Sequence, residues 1–146
     1  MGGGTVQRLI LAGALALSAV LVCAAADDSK VTFVSHEQVA KGGSLATAPS
    51  YSVTVVHRDK AGMVEVHDKE TDTFYVLDGA ATIVTGGTMV GGSVTAPGQQ
   101  RGSDIKGGTA QKLAKGDVMV IPAGVPHWFK EVPKSVDYYV VKVIAP

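Results

Sequence analysis

The stretch Gly116 to His127 (GDVMVIPAGVPH) limits what this chain can fold into more than any other. Gly116 and Asp117 turn the chain into a short β-branched strand. Pro122 cannot extend a hydrogen-bonded ladder and Gly124 permits a sharp turn, so the strand ends there and His127 opens the next one. Strand alternation then puts Val125, His127 and Phe129 on one face and Trp128 on the other. A short strand, a sharp turn and a second strand suit a β-architecture better than a helical bundle.

The rest of the sequence agrees. Hydrophobic residues make up 46% and charged residues 18%, with 18 glycines spread along the chain, a mixture suited to many short strands and tight turns. Ser35-His36-Glu37-Gln38 fits a capping box, which predicts one short helix to about Lys41, closed by Gly42 and Gly43. From Tyr51 on, strands are predicted at 52–57, 63–67, 73–77 and 80–85. A charged turn at Asp68-Lys69-Glu70 and a hairpin at Asp78-Gly79 separate them. Residues 86–109 read as turns around a short strand; their glycines match neither a dinucleotide fingerprint nor a phosphate loop. Further strands are expected around Leu113, at 117–121 and at 138–144. With 146 residues there is room for one domain.

Residues 1–26 are a separate class of segment. Arg8 precedes an apolar run, Leu9 to Val22, and small residues follow before Asp27 and Asp28. This is the pattern of a secretory signal, with Ala24 and Ala26 placed for cleavage after Ala26. An uncleaved membrane anchor and a lipoprotein anchor at Cys23 are the alternatives. The run is short for a full span, and Leu21-Val22 is bulky for lipoprotein processing. Cleavage removes Cys23, the one cysteine, and with it any disulfide or thiolate chemistry. The expected organisation is a signal at 1–26, an extension with a short helix at 27–50, and a barrel at 51–146, in a periplasmic or secreted protein. Thirteen basic residues balance thirteen acidic ones, so no electrostatic footprint for nucleic acid or an anionic membrane exists.

Gly116, Pro122, Gly124 and His127 resemble the second motif of the cupin family at all four fixed positions. Counting back from Gly79 gives the frame of the first motif as Glu65-x-His67-x4-Asp72-x6-Gly79. The family pattern there is His-x-His, three or four residues, Glu, six residues, Gly. The spacing is kept and two ligand types are changed. The resemblance implies an all-β fold, the cupin barrel (a double-stranded β-helix or jelly roll), here with a short N-terminal helix. It further implies a homodimer, with Tyr75, Leu77 and Tyr139 facing outward.

It also implies one divalent metal ion held by His67 and His127, with Glu65 and Asp72 as carboxylate ligands. Asp is a methylene shorter than Glu, which leaves Glu65 as the alternative anionic ligand should Asp72 fall short. Two imidazoles with added carboxylate favour Mn(II) or Fe(II), with Zn(II) open. A degenerate barrel with a hydrogen-bonded polar pocket and no ion is the other reading. His57, Arg101, Phe74 and Phe129 are candidate substrate contacts, and Asp104 could reach over the pocket beside Arg101. The expected function is a metal-dependent dioxygenase, isomerase or lyase on a small polar organic molecule such as a sugar acid or an oxo acid. A non-catalytic small-ligand or metal-binding module is the alternative, because fold does not settle function.

Overall fold

A computed structural model of the chain describes Met1 and residues 28–146. The signal, its cleavage site and Cys23 lie outside the described residues. Among these residues there are one helix and twelve strands. They are α1 (His36–Ala40), β1 (Gly43–Thr47), β2 (Tyr51–Arg58), β3 (Val64–His67), β4 (Glu70–Thr85), β5 (Thr88–Val90) and β6 (Ser93–Ala96). After them come β7 (Gln99–Gly102), β8 (Asp104–Lys106), β9 (Thr109–Ala114), β10 (Val118–Ile121), β11 (His127–Glu131) and β12 (Val136–Ile144). The predicted capping box is formed: Ser35 accepts from the Gln38 N–H while the Gln38 side chain accepts from the Ser35 N–H.

All pairings are antiparallel, in the order β1-β2-β12-β4-β11-β3-β7-β6, with β9 and β10 also paired to β4 and a separate β5–β8 ribbon. The result is a jelly-roll barrel, as the resemblance implied. Three details differ from the expectation. The 27–50 stretch supplies a strand, β1, which extends the sheet beside β2. Residues 86–109 hold four short strands where one was expected, because their glycines make turns between brief pairings.

The hairpin predicted at Asp78-Gly79 is absent, and β4 runs through it as one 16-residue strand. Its first half pairs with β12 and β10, its second with β9 and β11. A bulge places Asp78 opposite Asp137 but Val76 opposite Tyr138, skipping Leu77. That single extra residue flips the alternation, so Asp72, Phe74 and Val76 face inward before the corner and Ala81 and Ile83 after it. Gly79 makes the corner with φ +77, and a Cβ there would lie 2.1 Å from the Ser135 carbonyl oxygen. No other residue fits.

The core lies between the two sheets. Phe74, Val76, Ile83, Phe129, Val136 and Tyr138 pack together, with Ile83 and Val136 wholly buried. Each such aliphatic side chain contributes about 1.5–3 kcal/mol. Phe74, Phe129 and Tyr138 form an aromatic cluster with centroids 5.0–5.5 Å apart. Trp128, on the opposite face of β11 as predicted, packs against a second cluster of Val64, Val84 and Ile105.

Candidate metal centre

The register of β3 assembles the site. Glu65 pairs with His127 on one side and Arg101 on the other, and His67 lies opposite Gln99. Asp72 comes from β4, where it pairs with Lys142 of β12. Three strands therefore bring these donors together in two overlapping sets that could each hold an ion: Glu65, His67 and His127, and His67, Asp72 and Glu70. His67 Nε2 is 3.4 Å from Glu65 Oε2 and 3.5 Å from Asp72 Oδ2; His127 Nε2 is 3.8 Å and 3.6 Å from the same two oxygens. The imidazole centroids are 5.1 Å apart. His67, Asp72 and His127 are buried, while the Glu65 side chain retains 30% exposure.

Hydrogen bonds behind the rings fix what the rings present. The His67 Nδ1 bonds Gln99 Oε1, and the Gln99 amide donates to Glu70 Oε1 at 2.8 Å. A carboxylate only accepts, so Glu70 orients the amide and its oxygen must accept from His67. The His127 Nδ1 lies 3.1 Å from the Val125 carbonyl oxygen, again an acceptor. Both histidines thus carry the proton on Nδ1 and turn the Nε2 lone pair inward, as metal-ligating histidines do. Neither Nε2 has a hydrogen-bond partner among the described residues. Two lone pairs and two carboxylate oxygens face each other, an arrangement that calls for a cation. Ligands held at about 2.1 Å in a tetrahedron stand about 3.4 Å apart, close to the His–carboxylate separations found.

Charges follow the same logic. Burial pushes Glu65 up, but its neighbours His67, Arg101 and His127 outweigh that and hold the carboxyl down at about 2. Burial pulls His67 down, yet the Glu65 carboxylate and Asp72 more than offset it, so its pKa is raised. His127 is lowered, chiefly by burial.

Two functional residues were missed. Lys142 Nζ bonds Glu70 Oε2 at 2.8 Å and both Asp72 oxygens, which places an ammonium beside the donor set. Arg58 lines the cavity next to the donors, a space of about 280 Å³ that Phe74 and Phe129 also line. Both were legible by alternation, Arg58 after Thr54 and Val56, and Lys142 after Tyr138 and Val140. Glu70 was read as a solvated turn and instead begins β4 as the partner of Gln99 and Lys142.

Other candidates lie as follows. Phe74 and Phe129 stand in the cavity wall. Arg101 lies 3.5 Å from Glu65. His57 does not join the cavity: alternation along β2 turns it outward, where it is exposed and bonds Asp137 at 2.7 Å. Asp104 is exposed and caps its own chain at the Ile105 N–H.

Comparison with known proteins follows the same lines. A family model described as Cupin matches residues 28–146. No curated protein matches in sequence. Among solved structures, the chain is similar to BH2720 from Bacillus halodurans, at TM-score 0.57 and 14% identity over 83% of this chain and 87% of that one. It is also similar to the cupin domain of Cnp3 from Schizosaccharomyces pombe, at TM-score 0.52 and 17% identity. That match covers 71% of this chain but only 60% of the other. KdgF from a Halomonas species matches at TM-score 0.51 and 16% identity, over 72% and 80%. At these identities the likeness concerns the fold.

Proposed function

The chain belongs to the cupin family, and from that premise we propose that it is a metal-dependent enzyme acting on a small organic molecule. The single observation that carries this reading is the pair of buried, unpartnered Nε2 atoms facing Glu65 and Asp72. His67, His127, Glu65 and Asp72 would hold one divalent ion, with Mn(II), Fe(II) and Zn(II) all compatible with two nitrogens and two oxygens. Bound there, the ion supplies Lewis-acid polarisation of a ligand oxygen. The protein's own contribution is to fix both tautomers through Gln99 and Val125, to hold Asp72 through Lys142, and to wall the adjacent cavity with Phe74 and Phe129. Such a cavity is near the lower end for small-molecule sites. Oxidation by O2, isomerisation and elimination are all open to this donor set.

Lys142 favours a second reading, a non-catalytic ligand-binding module. Its ammonium already satisfies Asp72 and Glu70, so the carboxylates are partly neutralised without an ion. Elemental analysis of protein purified without added metal, and again after reconstitution, separates the two. About one divalent ion per chain is expected in the wild type and none in His127→Ala or His67→Ala. A wild type that binds no divalent ion after reconstitution removes the enzyme reading, and full metal in His127→Ala removes the ligand assignment.

Export and dimerisation complete the proposal. Export rests on the sequence of residues 1–26 and is checked by mass spectrometry of protein from the native host, which should begin near Asp27. Intact chain in the cytosol overturns it. Dimerisation rests on the outer face of the β10-β4-β12-β2 sheet, where Val118, Tyr75, Tyr139 and Val55 form one cross-strand row and Val120, Thr73, Val141 and Val53 the next.

A further inference from the structure

The cavity beside the donor set has a second charged end. Arg58 closes β2 on the inward face, with its Cζ 4.9 Å from the Phe129 ring centroid. A Cβ at Gly62 would lie 2.7 Å from Arg58 Nη1, so the guanidinium packs on bare glycine backbone. That backbone is itself stapled to β11: the Gly62 N–H donates to the Phe129 carbonyl at 2.9 Å, and Trp128 Nε1 donates to the Gly62 carbonyl at 2.8 Å. The guanidinium is therefore held between a ring and a fixed turn. Its Nε is buried and has no hydrogen-bond partner among the described residues. The Nε is closed off from the cavity, so it is the rest of the guanidinium, beside Tyr138, that Arg58 can present to a ligand there.

Between the two ends the wall is mostly apolar, with the Thr54 side chain opposite Val140. Val56, Phe74, Phe129 and Val140 separate Arg58 and Tyr138 from Asp72 and Lys142. Tyr138 and Lys142 are four residues apart on β12, about 13 Å along a strand. A polyhydroxylated ligand would set most of its hydroxyls against those four side chains, which fits a sugar acid less well than a ligand with an apolar body. Charge points the same way. Around the cavity Arg58, Arg101 and Lys142 balance Glu65, Glu70 and Asp72. A divalent ion added to that set leaves two positive charges in excess, which an anionic ligand offsets.

We infer that the cavity takes a small organic acid with an apolar body, its carboxylate paired with Arg58 and its far end turned toward His127 and Asp72. The inference rests on the reading of this cavity as a ligand site, and names the class of ligand. Arg58 is the residue that selects the carboxylate, since a guanidinium matches a carboxylate's two oxygens.

The test is calorimetric titration of metal-free and Mn(II)-reconstituted protein with benzoate and with benzamide, its neutral counterpart. Benzoate should bind the metal-free wild type, benzamide at least tenfold more weakly, and Arg58→Gln should lose at least tenfold in benzoate affinity while Arg58→Lys retains part. The benzoate–benzamide comparison in the wild type needs no variant and stands even where Arg58→Gln does not fold. Failure to take up Mn(II) with benzoate binding intact removes the metal reading and leaves this inference standing. Equal affinity for benzamide, no benzoate binding, or binding that needs Mn(II) and ignores Arg58 overturns it.

Discussion

Lys142 Nζ lies 2.8 Å and 3.0 Å from the two oxygens of Asp72, a residue 70 positions earlier on the neighbouring strand. The Asp72 side chain is only 3% exposed, so its charge is held in the barrel by this ammonium. The ammonium and a metal ion therefore draw on the same carboxylate.

Lys142→Met should expose that sharing. Without the ammonium, Asp72 and Glu70 lose their counter-charge, and the metal-free protein should lose about 2–4 kcal/mol. Added Zn(II) or Mn(II) should then stabilise the variant by more than it stabilises the wild type. Thermal unfolding with and without metal reads both effects, and an unchanged melting temperature in the metal-free variant would count against the pairing.

Gln99→Leu removes the acceptor behind His67 without touching a donor atom. The ring loses the bond that keeps its proton on Nδ1, and metal affinity should fall about 10–100-fold. Competition with a chromophoric chelator measures it. An unchanged affinity would mean that packing alone orients the ring.

Acid should weaken the metal-free protein through Glu65. Its carboxyl is held down at about 2 against an ordinary value of 4.5, so its contribution is present above 4.5 and is lost as pH falls toward 2. Denaturant melts of wild type and Glu65→Gln across that window should converge as pH drops. Metal binding has its own pH limit: the raised His67 competes for protons, so affinity should fall as pH drops through the imidazole range.

The apolar outer face gives a size prediction. Val118, Val120, Tyr75 and Val143 are 45–61% exposed on one sheet. Light scattering at micromolar concentration should report about twice the monomer mass. Val118→Lys with Val120→Lys should return a monomer with its barrel intact, and a wild type that is already monomeric would sink the dimer.

The sequence carried the barrel and the four-donor frame because both depend on short-range spacing: a turn, an inward His127, and Glu65 two residues before His67. What it did not carry is set by long-range pairing. Asp78-Gly79 has the composition of a hairpin, yet the bulge at Leu77 and the approach of Ser135 make it a corner, and only the fold brings Ser135 there. Lys142 and Arg58 lie on strands that were read correctly in outline. Alternation puts them on the face of Val56 and of Val140, but only the closed barrel shows that this face lines the cavity beside the donors. His57 was misplaced for the complementary reason, since one residue along a strand changes the face.

The corner in β4 also carries that strand from one sheet into the other. Asp72 lies on the half of that strand paired within one sheet, while Glu65, His67 and His127 stand on β3 and β11, neighbours in the other. An ion held by both histidines and Asp72 would therefore bridge the two sheets. The side chains buried along β4 hold those sheets together without it, so a chelator should leave the strands paired, unlike small domains whose metal is their core.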